Sequence, residues 1–241
     1  LTARTYIVNQ LLRGKSSGLP SGAQVDDTVQ YQVFKNETEL RTQWGSDYEA
    51  NMNKIAQAVL ETEGQILTYD GNPITATFFS NGNGYTENAE ALWKDAYPYL
   101  KSVASPWDEQ APQFEERISI PIKDFENKLG VNLKSSETVG KIVERTPGKR
   151  VAKVDINGKQ FTGIQIREML NLRSTDFSWV MQGDAVIITT RGYGHGVGMS
   201  QWGANGMAKD GKTYDEIVKH YYQGIEIASA ESLTQQIVAN K

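Results

Sequence analysis

Arg150-Val-Ala-Lys-Val-Asp-Ile-Asn-Gly-Lys-Gln-Phe-Thr-Gly-Ile-Gln165 is the stretch on which the fold class turns. Residues 150–156 read as a strand, and Asn157-Gly158 is the dipeptide that a tight hairpin prefers, because both turn positions need positive φ. Thr162 followed by Gln165 is a capping box, which opens a helix running to about Asn171. Strand, hairpin and helix therefore follow one another without a crossover. Working outward, residues 141–146 predict a strand paired with 150–156 through Pro147-Gly148. Residues 185–190 predict a buried strand, and Thr213 with Glu216 forms a second capping box, for a helix to about Tyr222 with Gly224 as its stop. Upstream, 114–122 reads as extended and 123–129 as a short helix stopped by Gly130. Gln65–Tyr69 and Ile74–Phe79 read as a hairpin around Asp70-Gly71-Asn72-Pro73.

Nearer the start, residues 50–63 predict a helix with Met52, Ile55, Ala56, Val59 and Leu60 on one face, 29–34 a strand, and 14–28 a loop. Residues 1–13 carry apolar side chains at helical spacing and are stopped by Gly14. No cap precedes Leu1, which predicts that the natural sequence continues upstream. The polar tail 228–241 reads as a loose helix. Irregular alternation with hairpins favours an α+β fold with a mixed or antiparallel sheet, several helices and a central cleft. Residues 1–109 and 181–227 are expected to form the core domain, with 110–180 as an inserted subdomain.

The 241 residues carry 25 basic and 29 acidic side chains, a net charge of −4, which disfavours non-specific nucleic-acid binding. No apolar run approaches the ~18 residues of a membrane span. Cysteine is absent, so disulfides, thiolate nucleophiles and cysteine-based zinc sites are excluded.

The densest chemical signal is Arg191-Gly-Tyr-Gly-His-Gly-Val-Gly-Met-Ser-Gln-Trp-Gly-Ala204, in which alternating glycines bracket His195. It lacks the Gly-Lys-Ser/Thr ending of a phosphate loop. His195 and His220 are the two histidines, too few and too far apart in sequence to argue for a metal. A glycine-rich turn whose histidine caps backbone stays open beside a catalytic role. The second signal is Phe78-Phe-Ser-Asn-Gly-Asn-Gly-Tyr-Thr-Glu87, where Ser80 lacks the G-x-S-x-G elbow of a serine hydrolase. Trp93, Tyr97, Tyr99 and Trp107 follow, as packing or as platforms for sugar faces. Among Glu61, Glu63, Glu87 and Glu90, spacing singles out no catalytic pair.

Ala-Arg-Thr-Tyr at 3–6, Phe-Phe-Ser-Asn-Gly-Asn-Gly-Tyr-Thr at 78–86, Pro-Tyr-Leu at 98–100, Gly-His-Gly-Val-Gly-Met-Ser-Gln-Trp-Gly-Ala at 194–204 and His-Tyr-Tyr-Gln-Gly at 220–224 resemble the stage II sporulation protein D family, which includes amidase enhancers. The resemblance implies a peptidoglycan lytic transglycosylase. It would cut the β-1,4 bond between N-acetylmuramic acid and N-acetylglucosamine in peptide-free strands, leaving 1,6-anhydro ends during forespore engulfment. It implies an N-terminal span in the mother-cell engulfing membrane, an extracytoplasmic domain, and work alongside the stage II sporulation protein P amidase within the stage II sporulation membrane complex. The family's catalytic glutamate falls upstream of the Ala-Arg-Thr-Tyr helix, so it is expected ahead of Leu1, with His195 and Gln201 in support. Arg4, Tyr6, Ser80, Thr86 and Ser200 would bind substrate. No cofactor is implied, and the zinc site of some relatives needs a cysteine that this chain lacks. A glycan-binding amidase enhancer without chemistry of its own is the alternative.

Overall fold

The computed structural model describes residues 1–14, 19, 23, 25–28, 33–133 and 138–231, and within them the chain forms an α+β fold in two compact units. One unit comprises Leu1–Ala76 with Ile225–Lys241, the other Thr77–Gly224.

In the first unit, α1 (Thr2–Arg13) stops at Gly14, whose left-handed φ of 61° ends the helix as the sequence requires. Then come α2 (Glu37–Trp44) and α3 (Tyr48–Glu61). A capping box of Asn36 and Glu39, not anticipated, starts α2. β1 (Gln65–Tyr69) turns through Asp70 and Gly71, both at positive φ, into β2 (Asn72–Pro73). The expected second arm of the hairpin, 74–79, is thus cut to two paired residues with a different start. Strand β11 (Glu226–Ser229) pairs antiparallel with β1, Leu67 opposite Ile227, so residues 228–229 are strand rather than loose helix. Residues 232–241, and 29–32 of the expected strand 29–34, lie outside the described residues, and Val33 and Phe34 join no strand. α3 forms as expected, but Ile55, Val59 and Leu60 on its apolar face are exposed. Burial in this unit falls instead on Ile66, Leu67, Ile74 and Ala76.

The second unit opens with β3 (Phe78–Phe79). β4 (Glu115–Pro121) runs directly into α4 (Ile122–Leu129), which stops at left-handed Gly130. β5 (Lys141–Arg145), β6 (Val151–Ile156) and β7 (Lys159–Thr162) form an antiparallel meander, turning at Asn157-Gly158. Thr162 and Gln165 close the expected capping box on α5 (Gly163–Leu170), which ends on Asn171 in the left-handed region. β8 (Phe177–Gln182), not anticipated, pairs antiparallel with β9 (Ala185–Arg191), giving a second sheet in the order β4-β9-β8. Phe125 and Leu129 of α4, Ile166 and Leu170 of α5, Val154, Phe177, Val186 and Ile188 meet in one apolar core. Removing so much apolar surface from water is the main force holding this unit together. Two-residue strand β10 (Met199–Ser200) pairs parallel with β3. It leads into α6 (Gln201–Lys209), and α7 (Tyr214–Tyr221) follows with its Thr213–Glu216 capping box.

Candidate functional site

The two chemistry-bearing stretches of the second unit lie side by side. The amide of Asn81 donates to the carbonyl of Tyr193 (3.1 Å), and the carbonyl of Asn81 accepts the return bond from the Tyr193 amide (2.8 Å). The Glu87 amide donates to Gly196 (2.7 Å), Met199 to Thr77 (3.1 Å) and Trp202 to Ser80 (3.1 Å). The loop can lie this close because of its glycines. At Gly198, φ is 85° and an added Cβ would stand 2.1 Å from the Thr77 carbonyl oxygen. At Gly196, φ is 86° and a Cβ would stand 2.4 Å from Arg150 Nε. Backbone sterics restrict such φ values largely to glycine.

His195 is half-buried in this loop, and its Nδ1 accepts a hydrogen bond from the Val197 amide (3.1 Å). That bond leaves the proton of the neutral ring on Nε2. Burial lowers the ring's pKa to about 4, against a raising interaction with the backbone of Phe78 and with a further lowering by Arg150 and Arg167. His195 is therefore neutral at pH 7 and engaged with backbone. Around it runs a ladder of rings. Phe79 is 5.5 Å and Trp93 6.3 Å from His195, Tyr97 is 6.1 Å from Trp93, and Tyr99 is 5.7 Å from Tyr97. Trp93 and Tyr97 are partly exposed. Trp107 belongs elsewhere: its indole N–H donates to Asp210 (2.6 Å), with His220 packed edge-on.

Because the ring's depressed pKa favours the neutral form, its linkage sign is fixed. Above pH 6.5 the ring is neutral in both folded and unfolded chains and costs nothing. As pH falls from 6.5 towards 4, only the unfolded chain takes up the proton, and folding stability is lost. A full shift of this size corresponds to at most about 3 kcal/mol. His195→Asn is expected to flatten the fall in melting temperature between pH 7 and 4.5 relative to the parent. An unchanged slope would mean that the ring titrates normally.

The other anticipated residues divide by exposure. Gln201 is exposed and Ser80 half-buried. Thr86 is fully buried, its hydroxyl donating to Lys101 O (3.2 Å) and accepting from the Val103 amide (2.9 Å). Ser200 is fully buried too, capping α6 by accepting from the Gly203 amide (3.1 Å) and donating to Asp108. Arg4 and Tyr6 lie in the first unit. Arg4 reaches the carbonyls of Thr62 and Gln65 (3.0 Å) beyond the C-terminus of α3, and Tyr6 OH accepts from Gln10 (3.2 Å).

A polar cluster beneath the loop was not legible beforehand. Asp108 has no exposed surface, and burial raises its pKa against the lowering by Ser200, Ser105, the Gly82 backbone and Arg150. Tyr221 OH and Ser105 Oγ are 2.7 Å apart. Glu87, also buried, accepts from the Asn88 amide (2.8 Å) through Oε1 and from the Thr146 hydroxyl through Oε2. Among the described residues no three His, Asp or Glu side chains converge as a metal site would require, and no helix is long and apolar enough to cross a membrane.

Fold and site define a cysteine-free α+β protein whose second unit displays a glycine-rich histidine loop beside a ladder of rings. Residues 1–69 match a family model described as stage II sporulation protein. The whole chain is 52% identical to stage II sporulation protein D of Bacillus subtilis (strain 168), covering 70% of that protein, and equally to stage II sporulation protein D of Bacillus amyloliquefaciens. Over 286 residues it is 27% identical to the amidase enhancer of Bacillus subtilis, covering 95% of this chain and 37% of the relative. The chain belongs to the stage II sporulation protein D family.

Proposed function

We propose that this protein is a lytic transglycosylase of peptidoglycan that acts on peptide-free glycan strands while the engulfing membrane moves around the forespore. The reading rests chiefly on the 52% identity across the whole chain with stage II sporulation protein D. The partly exposed Trp93 and Tyr97, running up to neutral His195, add support, since aromatic faces suit the apolar faces of sugars. The muramic acid's own 6-hydroxyl attacks its C1 and expels the 4-oxygen of N-acetylglucosamine. One carboxyl group protonates the leaving oxygen and then takes the hydroxyl proton, so no water is consumed and no second carboxylate is needed.

In this reading the acid precedes Leu1, and an upstream span holds the domain outside the mother-cell membrane. A stage II sporulation protein P amidase supplies the peptide-free strands. Gln201, Ser80 and His195 face the glycan. Thr86 and Ser200 shape the loop from beneath, and Arg4 and Tyr6 brace the first unit's helices. A second reading, a glycan-binding enhancer of an amidase, has the 27% identical amidase enhancer in its favour. Mass spectrometry of digested peptide-free strands separates them. The protein extended upstream through the family's glutamate is expected to give 1,6-anhydro ends. Ordinary reducing ends would indicate a hydrolase. Unchanged strands, with faster peptide release when an amidase is added, would favour the enhancer.

A further inference from the structure

Arg167 stands in the last turn of α5 and is half-buried. Its Nε donates to the Leu172 carbonyl (3.3 Å), and the Leu172 amide donates back to the Arg167 carbonyl (2.8 Å). The carbonyl of the next residue, Arg173, accepts from the Gly194 amide (3.1 Å), which ties the glycine loop to the segment that Arg167 holds. Ile164, one turn earlier on the same face of α5, lines a recess with Leu92, the chain neighbour of Trp93. Arg167 is thereby set beside the loop and its ladder of rings. Its charge acts on His195, and the Tyr193 phenol acts on Arg167 in turn.

Two other arginines near the loop already have their charge answered. Arg150 is enclosed beneath Gly196, with 1% of its surface exposed and with Glu87, Asp176 and Asp108 acting on its charge. Arg173 pairs with Glu116 (2.9 Å) and donates to Gln113 (2.7 Å). Arg167 differs. Its Nη1 and Nη2 have no hydrogen-bond partner among the described residues, and neither is enclosed, unlike the Nε and Nη2 of Arg150. Glu168 acts on the Arg167 charge without forming an ion pair. A guanidinium pinned at Nε with both Nη groups free is matched to a carboxylate, which it can hold through two parallel bonds. On the glycan reading above, on which this inference rests, a peptide-free strand bears one kind of anion, the carboxylate of the lactyl ether on muramic acid. While a stem peptide is attached, that carboxyl is an amide and carries no charge. We propose that Arg167 binds the free lactyl carboxylate of muramic acid and so makes the site selective for strands stripped of their peptides.

The probe is a peptide-free oligomer of alternating N-acetylglucosamine and N-acetylmuramic acid, compared with the same oligomer after its lactyl carboxylates are converted to primary amides. Calorimetric titration of the parent chain is expected to give at least about tenfold higher affinity for the carboxylate form, with a preference that shrinks as salt is raised. Arg167→Gln is expected to bring both forms to the same affinity. Should that variant fail to fold, the guanidinium nitrogen resonances of Arg167 in the parent supply the reading: they should move with the carboxylate form and stay in place with the amide. Equal affinity of the parent for the two forms, a preference that survives Arg167→Gln, or no binding of either form would overturn the proposal and leave Arg167 as a cap on the last turn of α5. Cleavage is not the readout. In the protein extended upstream through the family's glutamate, carboxylate-directed binding with uncut strands upholds the site and removes the transglycosylase, whereas equal cutting of both forms does the reverse.

Discussion

Gly198→Ala is expected to unfold the second unit or bring it close to unfolding. Its φ of 85° is a conformation that L-residues adopt only at a cost of about 1–2 kcal/mol. The added Cβ would also stand 2.1 Å from the Thr77 carbonyl oxygen, a backbone atom that cannot swing aside, and overpacking of this kind costs about 1–3 kcal/mol. The same carbonyl accepts from Met199 (3.1 Å) and from Tyr222 OH (2.7 Å), so displacing it breaks further bonds. Together these amount to roughly 3–5 kcal/mol, a large share of the ~5–15 kcal/mol by which domains are stable. Gly211→Ala supplies the control, because its φ is 84° with nothing within 4 Å of an added Cβ. It should cost only the backbone share. Urea denaturation of both variants decides the matter, and equal losses would show that close packing of the glycine loop on 77–87 contributes nothing.

On the transglycosylase reading proposed above, the polypeptide of residues 1–241 alone is expected to cleave peptide-free strands at least ~10²–10⁴-fold more slowly than one extended upstream through the glutamate which that reading assigns as the acid, since that is the usual worth of a positioned general acid. Within 1–241 the nearest rival for the role is Glu87, and the structure commits it otherwise. Both its oxygens are held, by the Asn88 amide and the Thr146 hydroxyl, and its surface is 1% exposed. Glu87→Gln in the extended protein should therefore lower melting temperature more than turnover. Comparable activity from 1–241, or a Glu87→Gln variant that melts normally and cuts nothing, would move the acid to Glu87.

Local chemistry made much of this fold readable in the sequence. Thr162 with Gln165 and Thr213 with Glu216 cap helices through their own side chains, Asn157-Gly158 turns on its own dihedrals, and Gly14 and Gly130 end helices by adopting left-handed φ. What escaped depends on partners distant in sequence. β11 is a strand because β1 supplies its hydrogen bonds from about 160 positions away, as the pairing of Gln65 with Ser229 shows. β8 alternates too weakly in Phe177-Ser-Trp-Val-Met-Gln182 to stand out before β9 pairs with it.

The candidate site divides in the same way. The glycine loop and the 78–87 stretch announce themselves by composition. Whether His195 faces ligand or caps backbone does not, because that depends on the Val197 amide folding back onto Nδ1. Ser200 and Thr86 carry the residue types of a binding site, yet their hydroxyls are engaged inside the protein. Asp108 and Arg150 gave no signal at all, since a lone charged residue in a chain reveals its burial only when the unit closes around it.

In the proposed function the glycine loop and its ladder of rings receive a glycan strand. It is tested most directly by adding peptide-free strands to the folded chain and following the resonances of the His195 ring and the Trp93 indole. Saturable perturbation of both is expected, with His220 and Trp107, which pack together elsewhere, unchanged. Strands that bind while leaving His195 and Trp93 untouched, or that fail to bind at all, would contradict it.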